Sequence, residues 1–196
     1  DLKSGASKLE RIAIVDDGFG MTREEIGEAF TLGGKGIESV RLESDLGRFG
    51  LGLKTASFSQ CKRLTVISKT KSSEFSSLVF DIDLIDKHGW KVFDRKDSGS
   101  CLEKIKSRLK NTSFFEAESW TVVLWENLDK VEVNNYQTYY RQLEQVMEHF
   151  SLVFHKFEKS LSIAINNTEV EFWNPFEGAT STEEKEISFD SKGNKF

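Results

Sequence analysis

Residues Leu9-Glu10-Arg11-Ile12-Ala13-Ile14-Val15 alternate and then run continuously apolar, and the run stops at an acidic, glycine-punctuated segment, Asp16-Asp17-Gly18-Phe19-Gly20-Met21. Alternation passing into continuous apolarity is the pattern of a strand entering a buried sheet. A helix start follows at once. Thr22 can cap, Glu25 stands three residues later as in a capping box, and Ile26, Ala29 and Phe30 supply an apolar stripe. The acidic glycine turn therefore joins a strand to a helix, which fits a fold that layers helices on a sheet.

The rest of the chain reads in the same alternation of elements. Residues 33 to 50 hold five glycines among polar and charged residues and predict a long mobile loop of the kind that serves as a lid. Leu51 to Phe58 reads as a short helix, and Leu64 to Ser68, Ser77 to Leu84 and Trp120 to Trp125 read as strands of a mixed or antiparallel sheet. Between them, Trp90 to Phe93 fits a further strand and Ser100 to Leu109 a short helix. From Tyr136 to Phe157 apolar residues recur every three or four positions, the strongest helical signal in the chain, and that stripe is expected to pack in the core. Leu161 to Ile165 and Glu169 to Trp173 fit a hairpin around Asn166-Asn167. At 196 residues, 38% hydrophobic and 12% aromatic with one proline, the chain is expected to form one packed domain. Its formal charge of −5 does not imply nucleic acid as a partner. Cys61 and Cys101 stand far apart with no ligand pattern and are expected to be buried thiols. No apolar run approaches membrane-spanning length and no signal peptide opens the chain, so no membrane partner is expected and a cytoplasmic location is.

Two glycine segments carry candidate chemistry. In the first, a carboxylate at a strand end followed by two glycines lets the backbone approach a flat ligand, and Asp16 can accept a hydrogen bond from an exocyclic amine such as adenine N6. Met21 offers a polarizable surface beside such a ring. Taken alone, the segment reads equally as an ordinary tight turn. An EF-hand is excluded by spacing. The second is Gly47-Arg48-Phe49-Gly50-Leu51-Gly52-Leu53-Lys54, where backbone N–H groups before a helix can converge on phosphate oxygens with Lys54 adding positive potential. A flexible linker is its alternative. A Walker A loop fails because Leu53 separates Gly52 from Lys54, and a dinucleotide fingerprint fails at Thr55.

In this order and at this separation the pair resembles the GHKL superfamily, which includes gyrase B, the ninety-kilodalton heat-shock chaperones, histidine kinases, MutL and the MORC proteins. Their Asp-x-Gly-x-Gly turn, glycine-bearing lid and Gly-x-Phe-Gly-x-Gly loop match Asp16 to Gly20, Gly33 to Gly36 and Gly47 to Gly52. Ser119-Trp120-Thr121-Val122-Val123 looks like the family's later Gly-Thr strand, with tryptophan where glycine is usual. Asn174-Pro175-Phe176 resembles the Asp-Pro-Phe segment of MORC-like and bacterial chaperone-like members. The match touches most of residues 10 to 176.

The resemblance implies a two-layer α/β sandwich of the Bergerat type, with a mixed, mostly antiparallel sheet and helices on one face. It implies residues 1–176 as the ATP-binding domain and 177–196 as a linker or the start of another domain. ATP with Mg2+ is the implied cofactor pair. Asp16, Gly20 and Met21 would hold the adenine, with Thr121 supporting the same network, in part through water. Gly47, Arg48, Phe49, Gly50, Leu51, Gly52 and Lys54 would wrap the phosphates, and Gly34 and Lys35 would reach them from the lid. A nucleotide-dependent homodimer and hydrolysis coupled to lid closure are implied for the parent protein. The family's Glu-x-x-x-Asn motif, which holds magnesium and activates water, matches no residue here: Glu10 has Ile14 where asparagine belongs. Neither the catalytic base nor the metal ligand is therefore assigned, and this sequence is expected to bind nucleotide but hydrolyse it poorly. Two other readings stand beside this one, a degenerate interaction module that keeps the fold without nucleotide and a histidine-kinase catalytic domain.

Overall fold

The computed structural model describes residues 9–31, 52–131, 133 and 135–177. The chain divides into two compact units, Asp1–Gln142 and Leu143–Phe196. The first unit is built on a five-stranded sheet of β1 (Arg11–Asp16), β2 (Cys61–Lys69), β3 (Ser76–Asp81), β4 (Phe93–Asp94) and β5 (Trp120–Leu128), in the order β1-β5-β2-β3-β4. Each described pair is antiparallel. Its helices are α1 (Arg23–Phe30), α2 (Gly52–Phe58), the single turn α3 (Ile85–His88) and α4 (Ser98–Lys106).

Strand alternation divides the core in two. On one face, Leu64 and Val66 of β2 and Leu78 and Phe80 of β3 pack with Ile26 and Phe30 of α1. Phe58 of α2 lies against Phe80, their ring centroids 5.1 Å apart. On the other face, Ile67 of β2 and Trp120, Val122 and Leu124 of β5 pack with Cys101, Leu102 and Ile105 of α4. The layered α/β sandwich and its mostly antiparallel sheet are as expected. The addition is α4, which covers part of the face that the expected arrangement leaves without helices. The helix itself answers to the short one read at Ser100 to Leu109; its place on this face is what the sequence did not show.

β1 departs from its sequence pattern. It is an edge strand, paired only with β5 among the described strands, and Ile14 is 46% exposed. An apolar run specifies a strand without saying how many neighbours cover it. β3 stops at Asp81 rather than running to Leu84, because the Asp81 carboxylate accepts from Asp83 N–H at 3.0 Å and turns Ile82–Leu84 into a 3-10 helix. The capping box of α1 forms as read: Glu25 N–H donates to Thr22 Oγ1 at 3.2 Å and Thr22 N–H to Glu25 Oε2 at 2.8 Å. Both cysteines are buried free thiols, and burial pushes Cys61 up to a pKa of about 11.

The long helix α5 (Tyr136–Val153) contains the division between the units. None of its described residues is buried, and Tyr140 is 58% exposed, so its stripe does not form the core expected of it. Periodicity shows that a helix has an apolar face and is silent on what covers that face. In the second unit a 3-10 turn, His155–Phe157, precedes a hairpin of β6 (Ala164–Ile165) and β7 (Thr168–Glu169). Asn166 and Asn167 make its turn with φ of 50° and 67°, the left-handed pair that a two-residue hairpin loop demands. Among the described residues no helix is long and apolar enough to cross a membrane.

Two contacts hold the first unit in register. Arg95, just past β4, is almost wholly buried; its guanidinium donates to Thr65 Oγ1 at 3.0 Å, to Asp97 Oδ1 at 2.9 Å and to both carboxylate oxygens of Glu126. Burial alone would lower its pKa, but Glu126 and Asp97 more than reverse that and keep it charged. Gly20 lies where the acidic turn crosses the end of β2. Its φ is +71°, and a Cβ there would stand 1.9 Å from the Lys69 carbonyl oxygen, so no other residue fits. Among the described residues, truncating Arg95 to Ala leaves the Glu126 carboxylate with only Arg63 Nε at 3.7 Å and Thr65 Oγ1 at 3.4 Å, and should cost about 3 kcal/mol in urea unfolding, the low end for a broken buried pair. Gly20→Ala should cost about 3 kcal/mol or more from overpacking and left-handed strain together. Gly27→Ala, in the middle of α1 with no described atom within 4 Å of the added Cβ, should instead raise stability by up to about 1 kcal/mol.

Candidate functional site

Antiparallel register lines up one residue from each of three neighbouring strands. Asp16, last in β1, stands opposite Thr121 in β5, and Thr121 stands opposite Ser68 in β2. Directly paired residues project from the same face. The three therefore form a row across the sheet at the end where β1 gives way to the acidic turn, on the face shared with α1. The row continues to Ser76 of β3, the partner of Ser68.

Hydrogen bonds fix the row and the turn together. Gly18 N–H donates to Asp16 Oδ1 at 3.0 Å, which closes the turn on the carboxylate and leaves Oδ2 as the acceptor without a bond to that turn. A Cβ at Gly18 would come within 2.8 Å of Oδ1, so glycine keeps this contact open. Met21 N–H donates to Ser68 Oγ at 2.7 Å. Ser68 Oγ lies 3.0 Å from the Trp120 carbonyl oxygen, to which it can donate, and 2.9 Å from Thr121 Oγ1. Ser68 and Thr121 are both buried. Asp16 is exposed, although neighbouring protein withdraws enough water from its carboxylate to raise its pKa. The Gly18 hydrogen bond opposes that rise and the charge of Asp17 adds to it.

The other residues singled out in the sequence fall as follows. Met21 is half-buried and packs against the α1-side core, while Phe19 beside it is 92% exposed. Gly52 is the exposed first residue of α2, and no described atom lies within 4 Å of where its Cβ would be. Lys54 is buried, and its ammonium donates to the Ala29 carbonyl at 2.7 Å, in the last turn of α1, where a cation complements the helix end. Burial lowers its pKa. Gly34, Lys35, Gly47, Arg48, Phe49, Gly50 and Leu51 lie outside the described residues. The structure thus brings together Asp16, Gly20, Met21 and Thr121, and engages Lys54 with α1.

Ser68 is the residue that sequence reasoning missed. A serine ending the run Leu64-Thr65-Val66-Ile67 looks like any strand terminus. Its role shows only once β2 is paired with β5 and the turn is laid over it, contacts 47 and 53 positions away in sequence. Trp120, which replaces the usual glycine, points to the opposite face. It packs there against Phe115, ring centroids 5.3 Å apart, and Phe75, 6.2 Å apart. Its bulk does not enter the Asp16 side.

A strand-end carboxylate with one uncommitted oxygen, a buried hydroxyl pair beside it and a half-buried methionine can together recognise a planar heterocycle that bears an amine. The family model described as histidine kinase-, DNA gyrase B-, and HSP90-like ATPase matches residues 2–113. That is more than half of the 196-residue chain and takes in the acidic turn, both glycine-rich segments and Ser68. No curated protein matches the chain. On the family match, and with the antiparallel sheet and the acidic strand-to-helix turn in place, the chain belongs to the histidine kinase-, DNA gyrase B-, and HSP90-like ATPase family, the ATP-binding domains of the GHKL type.

Proposed function

We propose that this domain binds ATP and ADP with the adenine amine on Asp16. The base lies beside Gly20 and Met21, within reach of the Thr121 hydroxyl, and the phosphates run toward Gly47 to Gly52. The observation that carries the reading is the row Asp16-Thr121-Ser68, with one Asp16 oxygen held by Gly18 N–H and the other uncommitted by the turn. A carboxylate presents only acceptors, which suits the two hydrogens of adenine N6 and opposes the guanine O6. Gly52, with no described atom within 4 Å of its Cβ position, supports a ligand's approach to the backbone there. For Lys54 to contact a phosphate it would have to leave the Ala29 carbonyl, so the phosphate grip in this reading rests on the glycine-rich segment, with Gly34, Lys35 and Arg48 as further contacts.

Residues 1–176 are then the nucleotide domain and 177–196 a linker or the start of another. The nearest branch is the MORC-like and bacterial chaperone-like one, on the strength of Asn174-Pro175-Phe176 and the long glycine-bearing segment. Hydrolysis coupled to lid closure, and a nucleotide-dependent homodimer, belong to the full-length protein in this reading. Magnesium is assigned no ligand: among the described residues no group of three or more His, Cys, Asp or Glu could hold a metal ion. An interaction module without nucleotide draws its main support from Trp120, and that side chain packs on the face away from Asp16.

Isothermal titration with ADP should give one saturable site. A hydrogen bond to a charged group contributes about 1.5–3 kcal/mol, so Asp16→Ala should weaken binding roughly ten- to hundredfold. Absence of saturable binding by the wild-type protein would overturn the assignment. The ionised carboxylate is the better acceptor and its pKa in the free protein is raised. Affinity should therefore be full above that raised pKa and fall as pH drops through it. Asp16→Asn should remove this dependence, and an unchanged pH profile in that variant would assign the titration elsewhere.

A further inference from the structure

We propose that Lys54 is a positioning residue rather than a phosphate ligand: its ammonium clasps α2 to the end of α1, and so fixes where the phosphates of a nucleotide lie relative to its base. This deepens the nucleotide reading above and rests on it.

A helix ends with four backbone carbonyls that its own ladder does not satisfy. In α1 these belong to Gly27, Glu28, Ala29 and Phe30, and each finds a donor. Thr31 supplies two, its Oγ1 to the Gly27 carbonyl at 3.2 Å and its N–H to the Glu28 carbonyl at 2.9 Å. The other two donors come from distant segments: Lys54 Nζ reaches the Ala29 carbonyl at 2.7 Å and Trp90 Nε1 the Phe30 carbonyl at 3.4 Å. The last turn of α1 holds no basic residue of its own. Lys54 is therefore also the cation that complements the negative end of the helix dipole.

Both helices are tied to the sheet as well. At the start of α1, Met21 N–H holds to Ser68 and the Arg23 guanidinium pairs with both carboxylate oxygens of Asp94 in β4. In α2, Ser57 Oγ accepts from Trp125 Nε1 of β5 at 2.9 Å. The acidic turn, α1 and α2 thus form one continuous strut, with Lys54 as the joint between its halves. Aromatic rings surround that joint: Phe30, Phe58 and Trp90 all lie against Phe80. Lys54 itself is 3% exposed. With water largely excluded, a hydrogen bond from an ammonium is strong, and moving that ammonium to a phosphate would take from the Ala29 carbonyl its donor. The segment that the nucleotide reading gives to the phosphates enters α2 at Gly52, two residues before Lys54. The joint therefore sets the spacing between the base row and the start of α2.

The test titrates adenosine and ADP into wild type, Lys54→Met and Lys54→Arg by calorimetry, with the 15N resonance of the Phe30 amide as a second readout. Adenosine engages only the base row, whereas ADP spans both sides of the joint. Lys54→Met keeps the apolar body of the side chain without the hydrogen bond. It should bind adenosine within about twofold of wild type and ADP about tenfold more weakly, the size of one hydrogen bond from a charged group. Lys54→Arg keeps the charge and suits phosphate at least as well as lysine, but its planar fork overfills a slot shaped for an ammonium, so it should lose ADP affinity likewise. A hydrogen bond accepted by a carbonyl polarises its peptide group, so the Phe30 15N resonance reports the donor at Ala29. It should shift in free Lys54→Met and stay in place when ADP saturates wild type. Retention of the wild-type preference for ADP over adenosine in either folded variant overturns the proposal. So does a Phe30 15N resonance that moves with ADP occupancy in wild type, because Lys54 then leaves α1 for the phosphate. That wild-type resonance decides the matter should both variants fail to fold by circular dichroism. A wild type that binds neither ligand overturns the nucleotide reading itself.

Discussion

The register of β1 against β5, and of β5 against β2, is the constraint on which the rest of this domain depends. It sets Asp16, Thr121 and Ser68 side by side, although they come from segments separated by about half the chain. A slip of one residue would turn Thr121 toward α4 and bring Trp120 into its place. The β5–β2 register is held because both faces of those central strands are buried. Leu64, Val66 and Phe80 serve the α1 side, and Ile67, Val122 and Leu124 serve the α4 side. Arg95 clamps the far end of the same strands by joining Thr65 of β2 to Glu126 of β5. Core packing and site geometry are thus one requirement expressed at two ends of the sheet.

Trp120 illustrates how much alternation decides. In the sequence it sits beside Thr121 in place of a glycine and suggests a filled, inactive pocket. In the sheet it faces the other way and forms the centre of an aromatic group with Phe75 and Phe115. The substitution therefore adds core on the α4 side while the Asp16 side keeps its carboxylate and hydroxyls.

Local features were legible in the sequence. The α1 capping box, the end of β1 at Asp16 and the Asn166-Asn167 hairpin turn each depend on residues within a few positions of one another, and each forms as read. What was hidden depends on partners distant in the chain. The edge position of β1, the exposed stripe of α5, the burial of Lys54 against Ala29 and the contacts of Ser68 all follow from which elements pack together. Periodicity reports that a face is apolar and cannot report what meets it. Half of the candidate site was similarly readable. Asp16 and Thr121 belong to motifs, whereas Ser68 acquires its place only through pairing. Of the glycine-rich segment proposed for the phosphates, Gly47 to Leu51 lie outside the described residues.

The central claim is that the row Asp16-Thr121-Ser68 with the turn above it is the base-recognition surface. Amide chemical-shift mapping on titration with ADP tests it most directly. The account predicts that the largest shifts fall on Gly18, Gly20, Met21, Ser68 and Thr121, with the β6–β7 hairpin unmoved. Saturable shifts that leave these five amides unchanged would contradict it.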